Sequence, residues 1–199
     1  ILLMNNSGYS FERINRWISQ KLKKTRYYFW KHADMPISHN DGLNEIVNVV
    51  LADKFTTSND LLVILNSDAF PILPWDAFCR KNLSDTTKNI KLIAAQRAEI
   101  GDTFPHPLFI CSTIQFWKEN NLKFEYNYKD IVKSQTTGPA LEAFLKEKNF
   151  NWLPLNRSNL INLHDIMFGI YGNLIYHHGA GSRIPLVAGI GKKSPEIKE

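Results

Sequence analysis

The 199-residue sequence has few of the features of membrane-spanning, disulfide-bonded or disordered chains. No stretch approaches the roughly 18 consecutive apolar residues of a membrane helix, so we expect no transmembrane span. Two cysteines exclude a disulfide scaffold and are typical of reduced thiols in a cytosolic protein. Internal repeats and low-complexity segments are absent as well. With 44% hydrophobic and 12% aromatic residues, the composition predicts a folded domain with a sizeable core.

The excess of charge of one sign is also small. Lys and Arg number 24 against 19 Asp and Glu, which gives a net charge of +5. This balance permits an anionic partner such as a nucleotide or a membrane surface. The basic residues form no single block, so specific nucleic-acid binding is not expected. The densest basic cluster, residues 21–26, is typical of a helix end, with a phosphate-binding patch as the alternative. We expect a cytoplasmic protein for which peripheral contact with a membrane surface is compatible with the charge.

The order of the apolar patterns predicts an α/β fold whose mainly parallel central sheet is flanked by helices. The strand Leu61–Leu65 is apolar throughout and is expected to be covered on both faces. A polar turn at 39–42 precedes a helix with apolar positions from Leu43 to Leu51, and Thr137 caps a second helix over 138–148. The other predicted strands are residues 1–4, 26–30, 90–95 and 108–112. Residues 104–107 are expected to form a rigid loop or to line an acceptor site.

The two ends of the sequence differ from the rest. The chain begins without Met and carries no secretory signal, so we expect a trimmed or processed product. We assign residues 1–191 to one domain and the charged residues 192–199 to a frayed tail.

A first candidate site follows the strand Leu61–Leu65, where Asn66, Ser67 and Asp68 precede a proline. Ligands of open α/β sheets bind beyond the carboxyl ends of the strands. A divalent cation on a substrate diphosphate needs only one or two protein carboxylates, which makes Asp68 a candidate metal ligand. Asn, Ser and Asp are equally typical of a turn in which Asp68 caps the next segment. Both interpretations stay open at this point.

A second candidate site is the segment 175–183, IYHHGAGSR. Imidazole can complete a metal site, and glycine lets the backbone approach a phosphate closely. Arg183 could pair with phosphate oxygens through its guanidinium group. A structural pair of histidines beside a turn would explain His177 and His178 equally well.

Taken together, the two stretches resemble the GT-A glycosyltransferases of the family-two type. In that family a strand ends in Asp-x-Asp, whose second Asp holds Mn²⁺ or Mg²⁺ on a nucleotide-sugar diphosphate, and a late histidine often completes the site. Asn66-Ser67-Asp68 stands at the Asp-x-Asp position, and His177 or His178 at that of the late histidine, with His177 slightly favoured. The opening ILLMNNSG, residues 39–44 and residues 138–141 are similar to further family segments and occur in the family's order.

The resemblance implies a single GT-A, Rossmann-like domain that transfers a sugar from a nucleoside diphosphate sugar to a glycan or other hydroxyl acceptor. It implies a divalent metal, Mn²⁺ or Mg²⁺, whose candidate ligands are Asp68, His177 and His178. An inverting transferase also needs a carboxylate base, for which Asp165, Asp130 and Glu142 are the candidates. The residues expected to bind the donor are Asn5, Asn6, Ser7, Asn44, Asn66, Ser67 and Arg183.

The sequence also departs from the family pattern. Asn66 replaces the first Asp of the motif, and an amide can bond a ribose hydroxyl but brings no charge. The family's acidic residue near 135–137 is missing, and its usual first strand is expected to be absent ahead of Ile1. Two alternatives therefore remain. One is a nucleotidyltransferase acting on a sugar phosphate, although the lysine expected after its first strand is absent. The other is a non-catalytic nucleotide- or glycan-binding relative of the fold.

Overall fold

The computed structural model describes residues 2–5, 16, 20, 27–30, 39–124, 138–164 and 167–179. Its strands are β1 Leu2–Asn5, β2 Tyr27–Trp30, β3 Leu61–Leu65, β4 Ala69–Pro71, β5 Ile90–Gln96, β6 His106–Thr113, β7 Asn151–Asn156, β8 Gly169–Tyr171 and β9 Ile175–His177. Its helices are α1 His39–Ala52, α2 Trp75–Leu83, α3 Ile114–Asn120 and α4 Pro139–Glu147, with a short 3-10 helix at Ala98–Ile100. None of these described helices is long and apolar enough to cross a membrane.

The central sheet has the strand order β3-β6-β5-β7 and is mixed. Strand β6 runs antiparallel to both of its neighbours, whereas β5 and β7 are parallel, so β3, β5 and β7 all point the same way. The predicted α/β class is confirmed, but the described sheet is not mainly parallel. The reason is the connection between β5 and β6, residues 97–105. It is shorter than the crossover of a dozen or more residues that a parallel pair needs.

Apolar clusters cover both faces of this sheet. Along β5, Leu92 and Ala94 belong to one cluster, while Ile93 and Ala95 belong to the other. This alternation follows from the two-residue period of a strand. Strand β3 is covered on both faces as predicted, since Leu62 and Ile64 belong to one cluster while Leu61 and Val63 pack against the other. Its last residue, Leu65, is exposed.

A second, antiparallel sheet has the order β4-β9-β8. Strand β4 follows β3 after a tight turn in which the Ala69 N–H donates to the Asn66 carbonyl at 3.0 Å. The Asn66 N–H donates to the Leu108 carbonyl at 3.1 Å, which ties this turn to β6 of the central sheet. Strand β9 places His177 opposite Ala69, so the late histidine segment lies beside the turn.

One predicted helix begins earlier in the structure, and another is confirmed. Residues 39–42, predicted as a turn, form the first turn of α1. Residue types that favour turns, such as Asn, Asp and Gly, also favour the starts of helices. Asp41 in addition suits the positive end of the helix dipole. The predicted helix over 138–148 is confirmed as α4, which has proline in its first turn. Thr137 and the tail 192–199 lie outside the described residues.

Candidate functional site

Polar side chains collect where the three co-directional strands end. Asp68 follows β3, Arg97 follows β5 and Arg157 follows β7. Strand β6 runs the opposite way and therefore begins at the same place, with His106. We call this rim of the central sheet the carboxyl edge. It is the location at which open α/β sheets bind their ligands.

Asp68 and His177 form a close pair at the carboxyl edge. The Nε2 atom of His177 lies 3.4 Å from Oδ1 of Asp68. The backbone supports this approach, because the His178 N–H donates to the Asp68 carbonyl at 2.9 Å. The His177 ring is buried, whereas 20% of the Asp68 side chain is exposed. Two stretches that the sequence singled out separately thus meet in one place.

The spacing of the pair suits a shared divalent cation. With metal–ligand distances of about 2.1 Å, donor atoms 3.4 Å apart subtend about 108° at the ion. That angle lies near the tetrahedral value and is wider than the roughly 90° between neighbouring ligands of an octahedral site. No group of three or more His, Cys, Asp or Glu that could hold a metal occurs among the described residues. Among the described residues, Asp68 and His177 would be the two ligands of such a cation, and two protein ligands are sufficient for a metal carried on a substrate diphosphate.

His178 lies apart from this pair. It is exposed, its Nδ1 atom is 3.3 Å from the Tyr176 hydroxyl, and its ring meets the edge of Phe168 with centroids 5.1 Å apart. Neighbouring residues of an extended strand project to opposite sides, so only one of the two histidines can turn toward Asp68. The structure brings His177, and not the His178 side chain, to the carboxylate.

His106 is a further imidazole at the carboxyl edge. It is buried, and its Nδ1 atom accepts a hydrogen bond of 3.1 Å from the Leu108 N–H. Burial holds the pKa of His106 well below its ordinary value, and Arg97, His177 and His39 lower this pKa further, whereas Asp68 opposes the shift. The ring is therefore neutral and carries its proton on Nε2. The sequence predicted a rigid loop or an acceptor-site lining at 104–107 and gave His106 itself no role, whereas residues 106 and 107 begin strand β6.

A hydrogen-bonded network lies next to His177. The Tyr171 hydroxyl donates to Oε1 of Glu99 at 2.7 Å, and Nη1 of Arg157 is 3.8 Å from the same oxygen. The Nη2 group of Arg157 donates to the carbonyls of His164 and Met167, both at 2.7 Å. The rings of Tyr171 and His177 have centroids 6.5 Å apart. The network holds the segment that precedes β8 and thereby supports β9.

The predicted donor-binding residues have different surroundings. Asn66 is half-buried in the turn before Asp68, and Ser67 is exposed beside it. Asn5 ends β1 in register with Trp30 of β2. Asn44 is engaged within the protein, since its Nδ2 donates to the Phe124 carbonyl at 2.8 Å and its Oδ1 accepts from the Phe124 N–H at 2.7 Å.

The candidate bases also differ. Glu142 pairs with Lys146 on α4, where Nζ and Oε1 are 2.8 Å apart. Asp130 and Asp165 lie outside the described residues, as do the predicted donor-binding residues Asn6, Ser7 and Arg183. The roles assigned to these residues stay predictions.

Asn40 is a residue that the sequence gave no role of its own. It lies in the first turn of α1 and is only 2% exposed. Neither Nδ2 nor Oδ1 of its amide has a hydrogen-bond partner among the described residues. The helical period could have indicated its burial, because Asn40 precedes Leu43 by three residues and Val47 by seven.

No family model, curated protein or solved structure matches this chain. The chemical interpretation of the site therefore rests on its own residues.

Proposed function

We propose that the protein is a metal-dependent glycosyltransferase with a GT-A, Rossmann-like domain. It transfers a sugar from a nucleoside diphosphate sugar to a glycan or other hydroxyl acceptor. The observation that supports this proposal is the Asp68–His177 pair, with 3.4 Å between carboxylate and imidazole, at the carboxyl edge. The proposal also agrees with the chemistry of the turn, which offers the Asn66 amide and the Ser67 hydroxyl next to the pair.

In the proposed reaction each residue has a distinct task. A bound Mn²⁺ or Mg²⁺ supplies the positive charge that a leaving diphosphate requires. Asp68 and His177 would hold that ion, and the half-buried Asn66 would bond a ribose hydroxyl. His106, neutral and protonated on Nε2, can donate a hydrogen bond to a phosphate oxygen without adding a charge.

The first prediction is that metal-dependent nucleotide binding requires both members of the pair. The assay is thermal unfolding with UDP, GDP and CTP, each with and without Mn²⁺. At a ligand concentration 100 times Kd, binding stabilises the native state by about 2.7 kcal/mol. Asp68→Asn and His177→Gln should remove the part of this stabilisation that depends on Mn²⁺.

Two matched controls separate the pair from general charge effects. Asp85→Asn removes a loop carboxylate that bonds Thr87 and Lys88, and His178→Gln removes the neighbouring imidazole. Both should bind nucleotide and Mn²⁺ like the parent. Unchanged metal-dependent affinity in folded Asp68→Asn would refute the assignment. Stabilisation by CTP and by neither diphosphate would instead indicate a nucleotidyltransferase.

A further inference from the structure

The exposed apolar side chains of the described residues are concentrated at one end of the molecule. Nine large apolar side chains are exposed in that part of the chain, and eight of them lie at or beyond the carboxyl ends of β3, β5 and β7. These eight are Leu65, Ile100, three residues within 70–73 and three within 160–163. The ninth, Phe55, precedes β3 and so lies toward the opposite end of the central sheet. We call the eight side chains the apolar rim. Single exposed apolar residues are common on protein surfaces, but such a concentration marks an interaction surface.

The most exposed part of the apolar rim is the loop of residues 158–163, which lies between β7 and β8. The exposed fractions of its aliphatic side chains are 102%, 74% and 76% for Leu160, Ile161 and Leu163. The base of the loop is nevertheless fixed, because the Ser158 N–H donates to the Ile170 carbonyl at 2.7 Å. The Nδ2 group of Asn159 likewise donates to the Phe168 carbonyl at 2.6 Å. Aliphatic side chains therefore project into solvent from an anchored loop.

The second part of the apolar rim is the segment 70–74, Phe-Pro-Ile-Leu-Pro, all five residues of which are exposed. Strand β4 pairs with β9 only, among the described residues. The Ile72 N–H points toward β9, since it donates to the Leu174 carbonyl at 2.8 Å, so the backbone nitrogen of Pro71 faces the free edge of β4. Because proline has no N–H to donate, this edge is poorly suited to pair with a strand of a second copy or of another protein. A partner of this surface must therefore contact its side chains.

Charge and chemistry favour a lipid surface as that partner. Neither residues 70–74 nor residues 158–163 contain a charged side chain, and the whole chain carries a net charge of +5. Anionic headgroups attract a protein of net positive charge, and acyl chains accept aliphatic side chains without a fixed complementary shape. A folded protein partner would require close packing over a continuous patch, whereas the rim is divided among segments that follow three different strands.

We propose that the apolar rim inserts into the surface of a bilayer that contains anionic phospholipids. Insertion of aliphatic side chains and attraction between opposite charges act together, which is the combination that stable peripheral attachment needs. Because the rim lies at the carboxyl edge, this orientation turns the end of the molecule that carries the Asp68–His177 pair toward the membrane. The proposal goes beyond the proposed function and does not depend on it, since lipid binding here requires neither metal nor nucleotide.

The experiment measures binding of the full chain to sedimented vesicles, without metal or nucleotide. One set of vesicles is phosphatidylcholine alone, and the other is phosphatidylcholine mixed with phosphatidylglycerol. The parent should bind the mixed vesicles more tightly, and added salt should weaken that binding because it screens the charges. Leu160→Gln should weaken it about 10-fold or more, the effect of withdrawing one aliphatic side chain from lipid. Phe55→Gln is the matched control and should bind like the parent, because Phe55 is 61% exposed but lies outside the rim.

The outcomes separate lipid binding from other roles of the rim. Both variants change exposed side chains, so they should unfold at the temperature of the parent. A parent that binds neither kind of vesicle overturns the proposal, as does equal weakening by Leu160→Gln and Phe55→Gln. Equal binding to both kinds of vesicle overturns the role of anionic lipid. Self-association that Leu160→Gln abolishes, without vesicle binding, would assign the rim to a contact between copies instead. The proposed function is tested separately, by the nucleotide-binding assay.

Discussion

Removing the guanidinium of Arg157 should destabilise the protein strongly. The side chain is 6% exposed, donates to two carbonyls at 2.7 Å and lies 3.8 Å from Glu99. Arg157→Met keeps much of the aliphatic volume but leaves both carbonyls and the Glu99 carboxylate without this partner. Charged hydrogen bonds contribute about 1.5–3 kcal/mol each, and breaking a buried ion pair costs about 3–5 kcal/mol. Because these contributions overlap, we expect a total loss of about 3–5 kcal/mol.

The assay for Arg157 is urea unfolding followed by circular dichroism, with the slope m compared between variants. Arg80→Met is the matched control, since Arg80 is exposed and its Nη1 reaches the Asn59 carbonyl at only 3.4 Å. That change should cost about 0.5 kcal/mol or less. If Arg157→Met loses no more stability than Arg80→Met, the network does not support β8 and β9 as described.

Three further predictions concern buried groups. The pKa of His106 is lowered, so the unfolded chain binds more protons than the folded one, and the stability of the fold decreases as the pH drops below about 6.5. Urea unfolding at a series of pH values should show a smaller decrease for His106→Gln than for the parent. The same pH dependence in both proteins would contradict this prediction. Tyr171→Phe removes the 2.7 Å hydrogen bond to Glu99 and should cost about 1–2 kcal/mol in the same assay. The pKa of the Cys111 thiol is raised mainly by a hydrogen bond with Cys79 and, second, by burial. Because both cysteines are buried, iodoacetamide should label them only after unfolding, and rapid native labelling would contradict this.

The parts of the fold that the sequence predicted are those with local signals. The apolar runs correctly located β3, β5 and most of β6. The mixed arrangement of the sheet was not predictable from the same runs, because an apolar strand can pair with its neighbours in either direction, and only the structure shows that β6 is antiparallel to both. Only the shortness of the 97–105 connection argues for the antiparallel choice. The start of α1 was placed too late because His39, Asn40 and Asp41 are turn-forming residue types.

The candidate site, like the fold, was predictable from the sequence only in part. Asp68 was identified from its position after a buried strand, and the histidine segment from its composition and its resemblance to a family. These two stretches are adjacent because of the register of β9 against β4, which pairs His177 with Ala69. No local pattern encodes such a register across about a hundred residues. The burial of His106 and Asn40 could not be predicted from local patterns, because it is a property of the packed structure.

The pairing of Ala69 with His177 has a consequence for the order in which the molecule is made. During synthesis the ribosome releases the Asp68 turn long before the β9 segment exists. The central strands β3, β5, β6 and β7 can associate meanwhile, but the carboxylate meets its imidazole only when β9 arrives. Closing so long a loop is entropically costly and slow. The site should therefore mature last, and a nascent chain stalled before Ile175 should hold most of the central sheet without the Asp68–His177 pair.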